Sequence, residues 1–248
     1  MNIDFHIHGK IEETRPFSEE NFFLSLEEAK DAGLNAIAIT DHAHAKNFYE
    51  GHEFLNQNYK LIGDYYDVSS FKVFYGVEVT TKEMLDILFI GSPKEVIKLR
   101  NKIYENLTDE IYLDINSLFK LYDSNNLLVV LAHPYRKHNF FPKLDKEITE
   151  KIDAAEFNAE DLLKRGITES KDEIIALAKS LNLNIISGSD SHHFIQVGSI
   201  KNKFSKDCKT VKEIKEEIKK HNYTVSISNT LKIRVKSARK IKELICKN

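Results

Sequence analysis

The chain has 248 residues, 42% of them hydrophobic and 10% aromatic, which suits one large domain with a sizeable buried core. A net charge of −2 gives no case for a general nucleic-acid or membrane binder. Two cysteines, Cys208 and Cys246, form no CxxC spacing, so no disulfide framework or thiolate zinc site follows, and both read as free thiols of a reducing compartment.

The first apolar run is Ile3–His8, and the opening MNIDFHIHGK lacks the basic stretch and long apolar core of a signal peptide. No window of 18 apolar residues marks a membrane span, so a cytoplasmic location is expected. Phe22–Ala32 reads as a helix ending at Gly33. Ala36–Thr40, Phe71–Val79 and Leu85–Ile90 read as strands. Glu95–Asn106 and Ile115–Ser124 read as helices, and Leu127–Leu131 as a strand running into His133-Pro134. Ala154–Phe157 is a short strand, Asp172–Leu181 a helix, and Asn184–Ile186 a strand leading into Ser187-Gly188-Ser189-Asp190. A late helix over Lys212–His221 and a last short strand over Tyr223–Ile227 complete the pattern.

Seven apolar strands, most separated by helices, argue for βα units and a mostly parallel sheet. Residues 1–248 are expected to form one unit with a basic, helical C-terminal segment over about 201–248. That segment carries fifteen Lys/Arg against five Asp/Glu, while residues 1–200 are net acidic. It is either a solvated face lying on the acidic body or a basic rim that attracts anions.

The polar residues recur at one place in the pattern. Apolar runs end in His6 and His8, Asp41-His42, Glu78, His133, and Asp190 with His192. Strand C-termini carry the chemistry of parallel α/β sheets and barrels. In a strand, residues i and i+2 share a face, so Asp4, His6 and His8 align, and Asp190 and His192 align likewise if the strand reaches them. A His-x-His pair at the end of a buried strand is costly without a partner and well placed to hold metal. Imidazoles mixed with the carboxylates of Glu78 and Asp190 suit Zn, Mn or Fe better than Ca or Mg. The remaining histidines, His44, His52, His138, His193 and His221, read as structural or exposed.

Taken in order, DFHIH at Asp4–His8, AITDH ending at His42, YGVEV at Tyr75–Val79, AHPYR at Ala132–Arg136, AAEFN at Ala154–Asn158 and GSDSH at Gly188–His192 resemble the motifs of the PHP (polymerase and histidinol phosphatase) family. The resemblance covers about residues 1–200. It implies a distorted seven-stranded β/α barrel with two or three divalent metal ions at the strand C-termini. On it, His6, His8, Glu78 and Asp190 match ligands of one metal. Glu78 bridges to a second that takes His133, and His42 and His192 match ligands of a third. Asp41 and Asp4 stand behind the ligands. The chain departs from the pattern twice. Asp86 stands nearest where many members have a histidine, and GKIEETRPFS offers only Glu12, Glu13 or Arg15 where many have a ligand after the first motif.

The implied activity is hydrolysis of a phosphate ester by metal-activated water, with Asp190 and His192 in the catalytic centre and Arg136 and Arg15 as phosphate-binding side chains. A small phosphorylated substrate is expected. A nuclease acting on nucleic-acid ends, carbon–nitrogen bond hydrolysis, and a non-enzymatic metal-binding module are the alternatives.

Overall fold

The computed structural model describes residues 1–107, 111–122, 126–136 and 143–245. Its strands are β1 (Asn2–Ile7), β2 (Ala36–Ile39), β3 (Lys60–Ile62), β4 (Tyr65–Val68), β5 (Phe71–Thr80) and β6 (Asp86–Gly91). They continue with β7 (Leu128–Ala132), β8 (Ala154–Asn158), β9 (Asn184–Gly188), β10 (Ile200–Phe204) and β11 (Tyr223–Ile227). The helices are α1 (Glu19–Asp31), α2 (Glu50–Asn58), α3 (Pro93–Glu105), α4 (Ile115–Leu121), α5 (Lys146–Thr149), α6 (Ala159–Arg165), α7 (Ile167–Leu181), α8 (Val211–Lys219) and α9 (Leu231–Ile245).

One sheet runs β11-β10-β1-β2-β5-β6-β7-β8-β9, with the β3–β4 hairpin attached to β5. The seven strands read from the apolar runs form its contiguous part from β1 to β9. The ring closes through a parallel bridge between Ile7 and Ser191, where the His8 amide donates to the Ser191 carbonyl at 2.7 Å. The fold is therefore a nearly closed α/β barrel, with two corrections. The path holds nine strands rather than seven, because β10 and β11 extend it antiparallel beyond β1. The sheet is also mixed: β6 is antiparallel to both β5 and β7. Only residues 81–85 separate β5 from β6, too few for a parallel crossover.

Alternation along the strands explains how one barrel is both packed and chemically active. Phe74, Leu88, Leu128, Val130, Ala154 and Ile186 belong to one buried apolar cluster, which α8 joins through Val211, Ile214 and Ile218. On the same faces, two or four residues further on, stand Glu78 (after Phe74), Asp86 (before Leu88) and Glu156 (after Ala154). Because β6 runs backwards, Asp86 reaches the carboxylate end from its strand's start. A second apolar cluster lies between the sheet's other face and the surrounding helices, with Phe22, Leu26 and Ala29 from α1 and Val96, Leu99 and Ile103 from α3.

The local signals that punctuate the helices are present. The Ser18 hydroxyl accepts from the Asn21 amide at the start of α1, and Gly33, at φ 72°, turns the chain out of it. Thr210 and Glu213 form a reciprocal cap on α8. The helix expected over Ile115–Ser124 ends at Leu121, and positions 123–124 lie outside the described residues, as do His138 and Cys246. The free thiol Cys208 is buried. No helix among the described residues is long and apolar enough to cross a membrane.

Candidate metal centre at the barrel mouth

All eight side chains singled out as metal ligands meet at one end of the barrel. Glu78 is their hub. Its Oε2 lies 3.2 Å from His42 Nδ1, 3.3 Å from His6 Nε2 and 3.4 Å from His8 Nε2, and its Oε1 lies 3.0 Å from His133 Nε2. Asp190 Oδ1 stands 3.0 Å from His8 Nε2 and 3.5 Å from His6 Nε2. Asp86 Oδ2 is 3.7 Å from His133 Nδ1. The His192 ring stacks on His8 with centroids 4.0 Å apart, and His42 stacks on the same ring at 4.8 Å. Four sets of three have donor atoms within 4.8 Å of one another: His6/His8/Asp190, Glu78/Asp86/His133, His8/His42/His192 and His6/His133/Glu156.

Each element delivers its group for a local reason. β1 presents His6 and His8 with ring centroids 5.1 Å apart, as strand alternation requires. His42 lies past the end of β2 and is held beside Glu78 by a continuing parallel bridge. Asp190 and His192 are not aligned by a strand, because β9 stops at Gly188. The turn does it instead, with Asp190 at φ 55°. His133, at φ 27°, is likewise on left-handed backbone, a conformation non-glycine residues adopt mainly where the surroundings impose it.

Buried carboxylates and imidazoles set one another's charge. Burial alone would lower His6, yet Glu156, Asp190 and Glu78 outweigh it and raise its pKa well above the usual histidine value. Burial would raise Glu78, but His42 and His6 hold it well below the carboxylate range. Asp190 is likewise held low, against burial, by Arg136 and His6. Burial pushes His42 down to about 4 and His192 well below its usual value, the latter with help from His8. These two rings are therefore neutral at neutral pH, with a lone pair to offer. His42 Nδ1 is buried and, despite its nearness to Glu78, makes no hydrogen bond.

The groups expected behind the ligands divide their work differently from the sequence reading. Asp4 accepts at Oδ1 from the amides of Ser189 (2.9 Å) and His6 (3.2 Å), so it ties β1 to the segment after β9. Asp41 Oδ1 is 3.8 Å from His8 Nδ1, beyond a hydrogen bond. The side chain that orients a ligand is Glu156: it accepts from His6 Nδ1 at 2.8 Å and from the His133 amide at 2.9 Å. Sequence reading quoted Glu156 within AAEFN and gave it no role. A carboxylate inside a short, otherwise apolar strand was the available signal, since burying one demands partners.

Gly188 is required by this arrangement. A Cβ there would meet the His6 Cβ at 2.5 Å and overlap Glu156 Oε1. Gly188→Ala is expected to cost about 1–3 kcal/mol in stability by overpacking. It is also expected to dislodge Glu156 from His6, and thermal melts with metal analysis on one preparation would show both. A melting temperature and metal content equal to wild type would refute the close approach.

The pocket over the cluster has a volume of about 310 Å³ and is lined by Glu13, His42, Glu78, Asp86, His133, Arg136, Asp190 and His192, with Glu160, His193 and Gln196 at its edge. Ala238, Arg239 and Lys242 of α9 complete it, so the basic C-terminal segment supplies part of the wall. Arg136 is in the pocket, where it pairs with Asp190 and with Asp161 at 3.2 Å. Arg15 is not among the lining residues. Its Nη2 donates to the Ile245 carbonyl at 2.8 Å, because the segment after β1 carries it to the end of α9. His44, set apart in the sequence, stands 2.7 Å from Glu13 Oε2, whose Oε1 is 3.4 Å from His42 Nε2. His193 also reaches the pocket edge, whereas His52 meets Tyr66 at 3.0 Å.

Comparison with known proteins bears out the family resemblance. The model of a family described as PHP-associated matches residues 168–223. Among solved structures, PsfC from Pseudomonas syringae superposes with a TM-score of 0.74 at 17% identity, covering 98% of each chain. A lesion-specific endonuclease Q from Pyrococcus furiosus superposes with a TM-score of 0.62 at 20% identity, over 91% of this chain and 58% of its own. An endonuclease Q complex with a 27-mer duplex bearing an abasic lesion gives 0.61 at 21% identity, again over 91% and 58%. At these identities the likeness is one of fold. No curated protein matches the sequence.

Proposed function

We propose that this chain hydrolyses a phosphate ester with water, using two or three divalent metal ions held at the barrel mouth. The observation that carries the reading is the donor set converging on Glu78. Four imidazoles lie within 3.4 Å of one carboxylate, with Asp190 and Asp86 flanking them. A metal fits this set better than protons do. Histidines crowd together, and the buried His42 Nδ1 has no hydrogen bond to justify its position.

In this reading His6, His8, Glu78 and Asp190 hold one ion. Glu78, His133 and Asp86 hold a second, and His8, His42 and His192 surround a third position. Mixed nitrogen and oxygen donors favour Zn, Mn or Fe. Bound there, such ions acidify water and neutralise charge on a phosphoryl group. The chain's own residues do the rest. Glu156 holds the proton on His6 Nδ1, which leaves Nε2 facing Glu78 and Asp190. Arg136 lines the pocket wall with Nε on Asp161, Nη1 on Asp190 and Nη2 on Asn158, so only its remaining N–H groups would meet a phosphate oxygen. His192, kept neutral by burial, keeps a ring-nitrogen lone pair available to a metal at neutral pH.

The test is metal analysis of the purified protein together with a phosphate-release screen across mono- and diesters. Asp190→Ala is expected to lose at least one ion per chain and to slow turnover by more than about 100-fold. Retention of both metal and turnover would end the assignment. Metal without turnover on any ester would favour a non-enzymatic module. Duplex binding that weakens steeply with salt would favour the nuclease alternative, for which the basic α9 at the mouth is the supporting observation.

A further inference from the structure

α9 is fastened across the mouth at several points. Its stripe of buried residues, Leu231, Val235 and Ala238, follows the spacing of one helix face and packs against α6 and the single turn Phe194–Gln196. Arg234 donates to Glu28 at 2.9 Å and to the carbonyls of Ile195 and Val197. Arg239 pairs with Glu160 at 2.7 Å, and Arg15 caps the helix's C-terminal end through the Ile245 carbonyl.

The next position on the buried stripe after Ala238 is Lys242. By spacing alone an apolar residue belongs there, and a lysine stands instead, lining the pocket with His192, His42 and Glu13. Three cations line this pocket: Arg136, Arg239 and Lys242. Arg136 is held by Asp190, Asp161, Glu160 and Asn158, and Arg239 by Glu160. Lys242 has neither a hydrogen bond nor an ion pair among the described residues. The roof helix thus spends its arginines on attachment and keeps one ammonium group, on a flexible stem, over the donor cluster.

Building on the phosphoesterase reading above, we propose that Lys242 is a substrate-binding residue that grips the terminal phosphate of a small phosphate monoester. Two observations select this class. A free cation beside the donor cluster favours the dianionic phosphate of a monoester over the single charge of a diester. A pocket of about 310 Å³, walled on one side by a pinned helix, suits a small organic phosphate and not a duplex.

The test uses the full chain loaded with metal, and inorganic phosphate as the probe in calorimetric titration. Lys242→Ala is expected to weaken phosphate binding about tenfold and Lys242→Arg to stay within about threefold of wild type, both at unchanged metal content and melting temperature. In turnover, Lys242→Ala is expected to raise KM for a monoester more than it lowers kcat, and to narrow the wild type's preference for mono- over diesters. Equal phosphate binding by wild type and Lys242→Ala at equal metal content would overturn the proposal. So would metal-loaded wild type that ignores phosphate or prefers diesters. The parent reading is judged separately, by whether wild type releases phosphate from any ester at all.

Discussion

Glu78→Ala is expected to strip the centre of metal and to slow turnover by far more than 100-fold, the largest loss from any single side chain in the site. Removing a group that only orients a ligand costs about 10- to 100-fold. Glu78 does more than orient. It touches four of the imidazoles and sits between the donor sets on either side of it. His42 and His6 hold its carboxyl ionised, so it offers both oxygens through the neutral range. Without it, His6, His8, His42 and His133 face one another with no shared anion, and any neighbouring ions bound there would lose the charge that screens their repulsion. Glu78→Gln separates charge from shape. It fills the same space beside Leu88, its register partner on β6, so the fold should survive while metal and turnover are lost. Metal content per chain, measured beside phosphate release, checks both variants. A glutamine variant that keeps two ions and half its rate would remove Glu78 from the centre.

Much of this candidate site was legible in the sequence because every ligand but Asp86, which opens its strand, ends or follows an apolar run. A histidine or carboxylate beside continuous Val, Ile and Leu has no bland place to go, and eight such residues on successive strands point to one mouth. What escaped the reading escaped for physical reasons. β10 (IKNKF) holds three consecutive polar residues in a basic tail, with Asn202 at the buried position between the lysines, so its sequence shows no period-two apolar pattern although its burial alternates. β3 and β4 are only three and four residues long and mix Tyr, Lys and Asp with apolar residues, so no apolar run marks them. The antiparallel course of β6 is set by the short connection from β5, which an apolar run does not encode. Arg15 was drawn toward the phosphate by its nearness to His8 in sequence, yet long-range packing assigns it to the end of α9. Of the basic tail, Arg234 and Arg239 pair with Glu28 and Glu160 of the acidic body, while Lys242 lines the pocket.

Arg136→Ala is expected to destabilise the metal-free protein by about 3 kcal/mol, which for a chain of this size lowers the melting temperature by roughly 6–12 °C. The guanidinium is largely buried and satisfies four groups at once. It pairs with Asp190, with Asp161 at 3.2 Å and with Glu160 at 3.7 Å, and it donates to Asn158 Oδ1 at 2.7 Å. That same Asn158 oxygen caps α6 by accepting from the Glu160 amide at 2.9 Å. Truncation therefore leaves Asp190 buried without its largest positive neighbour and loosens the start of a helix that carries α9. Lysine would not restore the lost stability, because a single ammonium cannot reach Asp190, Asp161 and Asn158 together. Metal changes the size of the effect in a definite direction. Ions beside Asp190 compensate its charge in place of Arg136, so the loss in melting temperature should shrink when metal is added to the variant, by linkage between binding and folding. Melts of wild type and Arg136→Ala with chelator and with excess Mn or Zn measure that difference. An equal loss in both conditions would mean that Asp190 and the ions do not meet, and the placement of the first metal would have to be abandoned.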